Sequence, residues 1–229
     1  MDDQLIEELV LANHILFNQG VVDAFGHVSV RSAKDPSRFW LTWAVAPALA
    51  TRADVCSFDF DVNTPDADGR ELYSERFIHA AIYRSRPDVM GVVHSHSPAI
   101  IPFTVTENEL RPVWHVSAFL DGAVARFDTH DVAGDTDLLI RTPQLGAALA
   151  DALGSSTVAL MRGHGNAVVG RSVREAVSNA IYTEANAKLQ AEAQRMGAVK
   201  YLTTGEASLM KAYGRPDVRR QWDFWVRQL

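Results

Sequence analysis

The feature that most constrains this chain is a short apolar run, Gly91-Val92-Val93, that ends in His94-Ser95-His96. The turn signal Arg86-Pro87-Asp88 precedes it, which predicts a buried strand entered from a surface loop. Residues two apart in a strand point to the same side of the sheet. His94 and His96 are therefore expected to present two imidazoles side by side, as a metal ion requires. A lone His-x-His pair is more often two ordinary polar residues, so the rest of the chain has to decide.

Two further residues complete a candidate metal site. His164 stands between Gly163 and Gly165 after a predicted buried strand, where glycines allow a sharp turn and a close approach. It raises the number of imidazoles to three, with which a catalytic metal site keeps one position open. Glu75 begins a predicted helix shortly before the His-x-His strand, so its carboxylate is a candidate general base or fourth ligand. Each residue alone has a structural explanation, but together they are specific.

The composition bounds the class of protein. With 229 residues, 47% hydrophobic and 22% charged, the chain is expected to form one globular domain, residues 1–229, with a sizeable core. A formal net charge of -6 and a pI near 5.7 argue against nucleic-acid binding, which needs a basic surface. A small-molecule substrate, even an anionic one, is compatible because a metal supplies local positive charge.

The cellular context is also predicted from composition. Cys56 is the single cysteine, so no intrachain disulfide forms. The acidic start at residues 1–4 is unlike a secretory signal. No apolar run approaches the roughly 20 residues needed to span a bilayer. We expect a cytoplasmic protein that does not associate with membranes.

The periodicity of the chain predicts alternating helices and strands, and hence a mixed α/β layer protein. Besides the histidine strand, strands are predicted at 24–31, 39–43, 55–60, 113–119, 123–127, 157–161 and 167–170. Helices are predicted at 5–20, 75–83, 98–103, 137–153 and 173–196. Ser74 is placed to cap the second helix, with Glu75 in its first turn. Residues 63–69 are a predicted surface loop, and Trp222, Phe224 and Trp225 form an apolar cluster in the tail.

Four stretches together resemble the class II aldolase and adducin head family: residues 73–79, 86–88, 92–96 and 161–165. The resemblance covers nearly the whole chain, from the first helix to the long helix after Gly170. It implies a three-layer α/β/α domain with a central mixed, largely antiparallel sheet. It also implies a homotetramer with active sites near subunit interfaces.

The resemblance assigns roles to the candidate site. It implies that His94, His96 and His164 hold one divalent metal ion per subunit. It implies that Glu75 is a catalytic acid/base that can also approach the metal. Imidazole ligands suit Zn, Mn, Co, Ni or Fe, so the sequence does not name the ion.

The chain departs from the sugar-phosphate aldolases of this family where those enzymes bind the substrate phosphate. His27 follows Gly26 in place of an asparagine, and the loop 42–45 lacks the glycine that lets amide groups approach an anion. Tyr73 replaces the first of two serines before the glutamate, leaving only Ser74. We therefore expect that no phosphate is bound at this sub-site.

The same departures suit a different substrate. Tyr73, Trp43 and His27 are expected to accommodate a flat aromatic ring. Ser74 and Arg76 flank Glu75 and are also candidates for substrate binding. The pattern is closer to family members that decarboxylate hydroxylated aromatic or pyridine carboxylates.

The predicted function is a metal-dependent lyase that cleaves a C–C bond through a metal-stabilised, enolate-like intermediate. The preferred reaction is decarboxylation of a hydroxylated aromatic or pyridine carboxylate, with Glu75 returning the proton to carbon. His27 or His115 is a candidate second proton carrier or carboxylate anchor, and His115 is a candidate for the site of an adjacent subunit. His14, His79 and His130 are predicted to be structural or on the surface.

Three alternatives stay open from the sequence. One is an aldolase acting on an unphosphorylated aldehyde or 2-keto acid. Another is an Fe(II)-dependent oxygenase of aromatic acids, since three histidines also hold iron. The last is a non-enzymatic, adducin-like interaction domain, which is disfavoured because such a domain needs no metal ligands.

Overall fold

The computed structural model describes residues 2–65, 69–213 and 218–229. Of the predicted surface loop at 63–69, residues 66–68 lie outside the described residues. The strands are β1 (His27–Arg31), β2 (Arg38–Thr42), β3 (Val55–Asp59), β4 (Gly91–Ser95), β5 (Val124–Phe127), β6 (Val158–Met161) and β7 (Gly165–Gly170). The helices are α1 (Asp2–Asn18), α2 (Arg76–Ser85), α3 (Ile101–Thr104), α4 (Thr129–Ala133), α5 (Pro143–Leu153), α6 (Val173–Met196), α7 (Thr204–Ala212) and α8 (Val218–Val226). Short 3-10 helices occupy Pro47–Leu49, Arg52–Asp54 and His115–Leu120.

The strands form one sheet in the order β3-β2-β1-β4-β7-β6-β5. Neighbouring strands are antiparallel except β5 and β6, which are parallel. The predicted mixed, largely antiparallel sheet is therefore confirmed. β4 lies at its centre and is buried along its whole length, as its continuous apolar run requires.

Helices cover both faces of the sheet, which confirms the predicted three-layer α/β/α architecture. One core lies between the sheet and α1, α6 and α8, and the other lies between the sheet and the paired helices α2 and α5. Trp222 and Trp225 of α8 are buried in the first core, whereas Phe224 is 59% exposed. The predicted tail cluster thus packs on its own chain through two of its three aromatic residues.

The predicted strand at 113–119 is wrong, because this segment contains the 3-10 helix His115–Leu120. The reason is a side chain on the facing helix α6. Asn186 Oδ1 accepts hydrogen bonds from the backbone N–H of Val113 and from Ser117 Oγ, so the segment follows α6 and does not join the sheet.

The predicted helix at 137–153 begins six residues later, at Pro143. Thr142 caps it, with its side chain accepting from the backbone N–H of Leu145, and a proline at the first helical position is pre-organised for a helix start. Residues 137–141 are left as a loop that reaches the candidate site. No helix among the described residues is both long and apolar enough to cross a membrane.

Candidate active site

Strand pairing brings the three metal-site histidines together. His94 is on β4, His96 follows the end of that strand, and His164 lies in the turn between β6 and β7. The antiparallel register of β4 and β7 pairs Ser95 with Asn166, which carries the β6–β7 turn to the end of β4. Two segments about 70 residues apart in sequence thus meet at one edge of the site.

Gly165 permits this approach. A Cβ atom built on Gly165 would lie 2.0 Å from the carbonyl oxygen of Ser95, which is too close for any side chain. The glycine predicted from sequence to allow a close backbone approach beside His164 is required for that reason.

Replacing Gly165 with alanine should therefore break the fold around the site. We expect Gly165→Ala to lower the melting temperature sharply or to abolish soluble expression, because the backbone of β4 has to move. Gly205→Ala is the matched control, since α7 leaves room for the methyl group, and it should raise stability by roughly 0.5–1 kcal/mol. Thermal melts of both variants test this, and a Gly165→Ala protein as stable as the wild type would contradict it.

Glu75 reaches the histidines from α2. It is the N-cap residue of that helix, with φ -97° and ψ 19°, and no side chain caps the helix. The prediction that Ser74 caps α2, with Glu75 in the first turn, is therefore wrong by one position. The N-cap position still leaves the Glu75 carboxylate at the positive end of the helix dipole.

The four side chains form a compact cluster whose ligand atoms all lie within 4.8 Å of one another. His96 Nε2 is 3.2 Å from His94 Nε2 and 3.1 Å from His164 Nε2. Glu75 Oε2 is 3.4 Å from His94 Nε2 and 3.3 Å from His164 Nε2. Two nitrogens bound tetrahedrally to one zinc ion lie about 3.4 Å apart, so these spacings fit a common ion.

Backbone carbonyls orient two of the imidazoles. His94 Nδ1 lies 3.0 Å from the Asn166 carbonyl oxygen, and His164 Nδ1 lies 3.0 Å from the Leu138 carbonyl oxygen. Each Nδ1–H donates to its carbonyl, which leaves the Nε2 lone pair for an ion, as in many metal sites. The residues present therefore fit a divalent metal.

The loop after α4 holds both Glu75 and His164. Leu138 has a φ of +67°, a left-handed conformation that costs about 1–2 kcal/mol in a residue with a side chain. This conformation accompanies the hydrogen bond from His164, and two residues later the N–H of Ile140 donates to Glu75 Oε1 at 2.8 Å. One oxygen of Glu75 is thus anchored and the other faces the histidines.

The electrostatics favour a ready ligand set. Burial lowers the pKa of His96 to about 4, helped by the neighbouring His94 and His164, so its ring is neutral at neutral pH. Burial on its own would raise the pKa of Glu75. The neighbouring imidazoles of His94 and His164 outweigh that effect and hold the pKa of Glu75 well below its ordinary value. Glu75 is therefore a carboxylate at rest.

A cavity of about 390 Å³ opens beside the cluster. Its lining residues are Phe25, Gly26, His27, Tyr73, Ser74, Glu75, His94, His96 and Leu139. The Tyr73 hydroxyl donates to the Val45 carbonyl oxygen, so Tyr73 offers the cavity its ring and not a free hydroxyl. The wall is mainly apolar, and the described lining contains no lysine or arginine.

Not every predicted site residue lies at this cavity. The cavity is lined by the predicted residues His27, Tyr73, Ser74, Glu75, His94 and His96. His164 belongs to the metal cluster but is not among the lining residues. Trp43 is only 3% exposed and packs in the core beneath α2 and α5, which corrects its expected place on the aromatic wall. Arg76 donates to the Tyr73 carbonyl and lies over the Phe77 ring. His115 is exposed at the start of its 3-10 helix.

The structure adds residues that the sequence did not single out. Phe25 stands at the cavity mouth, 66% exposed, with its ring centroid 6.3 Å from that of His96. Leu139 also lines the cavity. His79, predicted to be structural or on the surface, is fully buried and hydrogen-bonded to His27. Its position four residues after Glu75, on the same helix face, was the available signal.

The fold and the site together define an α/β/α domain built around a candidate three-histidine metal centre. The chain belongs to the family described as Class II Aldolase and Adducin N-terminal domain, whose family model matches residues 7–191.

Similar proteins agree with this assignment. The chain is 36% identical to decarboxylase tropJ of Talaromyces stipitatus, over 94% of this chain and 90% of that protein. It is 29% identical to 3,4-dihydroxyphthalate decarboxylase of Arthrobacter keyseri, over 83% of this chain and 79% of that protein. Among solved structures, L-fuculose 1-phosphate aldolase from Glaciozyma antarctica has the same fold, with a TM-score of 0.82, 24% identity, and coverage of 98% and 87% of the two chains.

Proposed function

We propose that this protein is a metal-dependent decarboxylase of a hydroxylated aromatic or pyridine carboxylate. The observation that carries the proposal is the Glu75 carboxylate placed beside three imidazoles at the edge of an apolar, ring-sized cavity. The two relatives named as decarboxylases support the reaction type. His94, His96 and His164 would hold the ion, which when bound supplies a Lewis acid for a substrate oxygen.

The cavity wall supports an aromatic substrate. Phe25, Tyr73 and Leu139 offer rings and an aliphatic face to a planar ligand. His27 and Ser74 add two polar groups at its edge, which suit the hydroxyl and carboxylate oxygens of a hydroxy acid. A pocket of this kind is mostly apolar with a few placed polar groups.

Glu75 is the proposed proton carrier. Because its pKa is low, it begins as a carboxylate and can accept the proton of the substrate hydroxyl on binding. The bond between the ring carbon and the carboxylate then breaks, and its electron pair stays on the ring as carbon dioxide leaves. Glu75 returns the proton to that carbon, and the product oxygen regains a proton from water on release, so the overall change is loss of carbon dioxide and uptake of one proton.

The sugar-phosphate reaction is disfavoured by the loop at 42–45. Its amides are already used, because the N–H groups of Trp43, Ala44 and Val45 donate to the carbonyls of Asp54, Glu71 and Trp43. A phosphate would find no free backbone donor there. The absence of lysine and arginine from the described cavity lining adds to this argument.

We therefore expect dihydroxyacetone phosphate and ribulose 5-phosphate to be neither cleaved nor tightly bound. Steady-state assays with the metal-loaded protein test this. Turnover of either compound at an ordinary enzyme rate, on the order of 1–1,000 per second, would refute the substrate assignment.

The deciding experiment is elemental analysis of the purified protein, followed by a panel of hydroxybenzoic and hydroxypyridine carboxylates assayed for carbon dioxide release. Zn, Mn, Co and Fe are the ions to reconstitute. Aldol cleavage with pyruvate as product would favour the aldolase alternative, and oxygen consumption would favour the Fe(II) oxygenase.

The homotetramer with sites near subunit interfaces, where His115 would serve a neighbour, stays a proposal that light scattering can test. The cytoplasmic location also stays a prediction.

A further inference from the structure

A chain of four buried polar side chains ends at the candidate cavity. Ser29 Oγ is 2.8 Å from the Tyr83 hydroxyl and 2.6 Å from His79 Nδ1, and His79 Nε2 is 2.6 Å from His27 Nδ1. Tyr83, Ser29 and His79 are at most 1% exposed. His27 alone among the four lines the cavity. These hydrogen bonds therefore link the cavity to the interior between β1 and α2.

The buried end of the chain fixes the direction of its hydrogen bonds. Among the described residues, Ser29 Oγ is the one acceptor for the Tyr83 hydroxyl hydrogen. Leaving that buried hydrogen unpaired would cost about 1–3 kcal/mol, so Tyr83 donates to Ser29. The hydrogen of Ser29 then has His79 Nδ1 as its acceptor, for the same reason.

The two imidazoles continue the same donor-to-acceptor direction as far as the cavity. His79 Nδ1 accepts the hydrogen of Ser29 and so carries none of its own, which leaves the ring hydrogen of His79 on Nε2, 2.6 Å from His27 Nδ1. Each of the two rings then has one N–H and one acceptor nitrogen. His79 Nε2–H therefore donates to His27 Nδ1. The hydrogen of His27 is then on Nε2, the ring nitrogen that takes no part in the hydrogen bonds from Tyr83 to His27.

We propose that Ser29 and His79 are positioning residues that hold His27 with its Nε2–H toward the cavity, where it donates a hydrogen bond to a substrate oxygen. This inference rests on the proposed function for the identity of that oxygen, a carboxylate or hydroxyl oxygen of the hydroxy acid. It removes His27 as a proton acceptor and leaves that role to Glu75.

The first test is spectroscopic and needs no substrate. The full-length, zinc-loaded protein is labelled with ¹⁵N at its eight histidines, whose nitrogen shifts report which ring atom carries the hydrogen. The His27 signals are those lost in His27→Gln. We expect His27 to be protonated at Nε2 and not at Nδ1. A hydrogen on Nδ1 in the wild-type protein would overturn the inference, whatever reaction the protein catalyses.

Two variants separate direction from general loosening. Ser29→Ala removes the donor to His79 Nδ1, so we expect a substantial share of His27 to become protonated at Nδ1. Tyr83→Phe is the matched control, because it also deletes one buried hydroxyl yet leaves the Ser29 hydrogen with His79 as its acceptor. We expect Tyr83→Phe to keep the wild-type tautomer, and equal shifts in both variants would overturn the inference.

Catalysis gives an independent readout. With a substrate that releases carbon dioxide, Ser29→Ala should raise KM by roughly 10-fold, the worth of one hydrogen bond, with smaller loss of kcat and unchanged metal content. Ser29→Thr keeps a hydroxyl and should restore KM. If no carbon dioxide is released by any protein, the proposed function fails while the tautomer measurement still decides the role of Ser29 and His79. An unchanged KM in Ser29→Ala would refute the donor role of His27.

Discussion

Replacing any one of His94, His96 and His164 with alanine is expected to remove bound metal and nearly all activity. Each variant deletes one of three imidazoles whose Nε2 atoms lie about a common centre. Loss of an outer hydrogen-bond partner already costs roughly 10- to 100-fold in metal affinity or activity, so loss of a ligand costs more. Metal content by elemental analysis and turnover of the same preparations are the measurements.

His130→Ala is the matched control, because His130 is an exposed histidine of α4 outside the cluster. It should keep metal and activity. The three variants should still melt cooperatively, since a catalytic ion adds chemistry to a fold that the two apolar cores already stabilise. Full metal occupancy in any of the three would remove that histidine from the site, and an unfolded metal-free protein would indicate a structural ion.

The second large effect is expected from Glu75→Gln, which keeps the size and hydrogen-bonding reach of the side chain but cannot carry a proton. We expect metal and substrate to bind almost normally while turnover falls by roughly 100-fold to 10,000-fold, the usual worth of general acid/base catalysis. The glutamine oxygen can still accept from the Ile140 N–H, so the side chain should keep its place.

Comparing metal content with rate separates the two roles of Glu75. If the carboxylate is chiefly a ligand, the metal content of Glu75→Gln falls together with its activity. Glu71→Gln serves as the control, because Glu71 is exposed and lies four residues earlier. Near-normal turnover in Glu75→Gln would show that another group carries the proton, and His27 would be the first residue to test.

Much of the fold followed from local pattern. The strands predicted at 24–31 and 39–43 correspond to β1 and β2, which the structure pairs in antiparallel register with Val30 opposite Trp40. The helix predicted at 173–196 is α6, which begins directly after Ser172, whose side chain accepts from the backbone N–H of Glu175. These features depend on residues close in sequence, so a single segment contains the needed information.

The errors have a different origin. Residues 113–119 look like a strand by composition but follow α6 through Asn186, more than 65 residues away. Trp43 was expected at the substrate and is instead packed into the core. In both cases the partner of the segment lies far along the chain, and no local pattern identifies it.

The sequence by itself determined the ligand types and their local geometry. The spacing of His94 and His96 on one strand and the glycines around His164 are local properties of a backbone. Tertiary structure decided how these pieces meet and what surrounds them. Three hydrogen bonds join distant segments: His164 to the Leu138 carbonyl, the Ile140 N–H to Glu75, and His79 to His27. Their formation depends on how the helices and loops pack over the sheet, because hydrogen-bonding groups of common residue types acquire a specific role only from the neighbours that packing gives them.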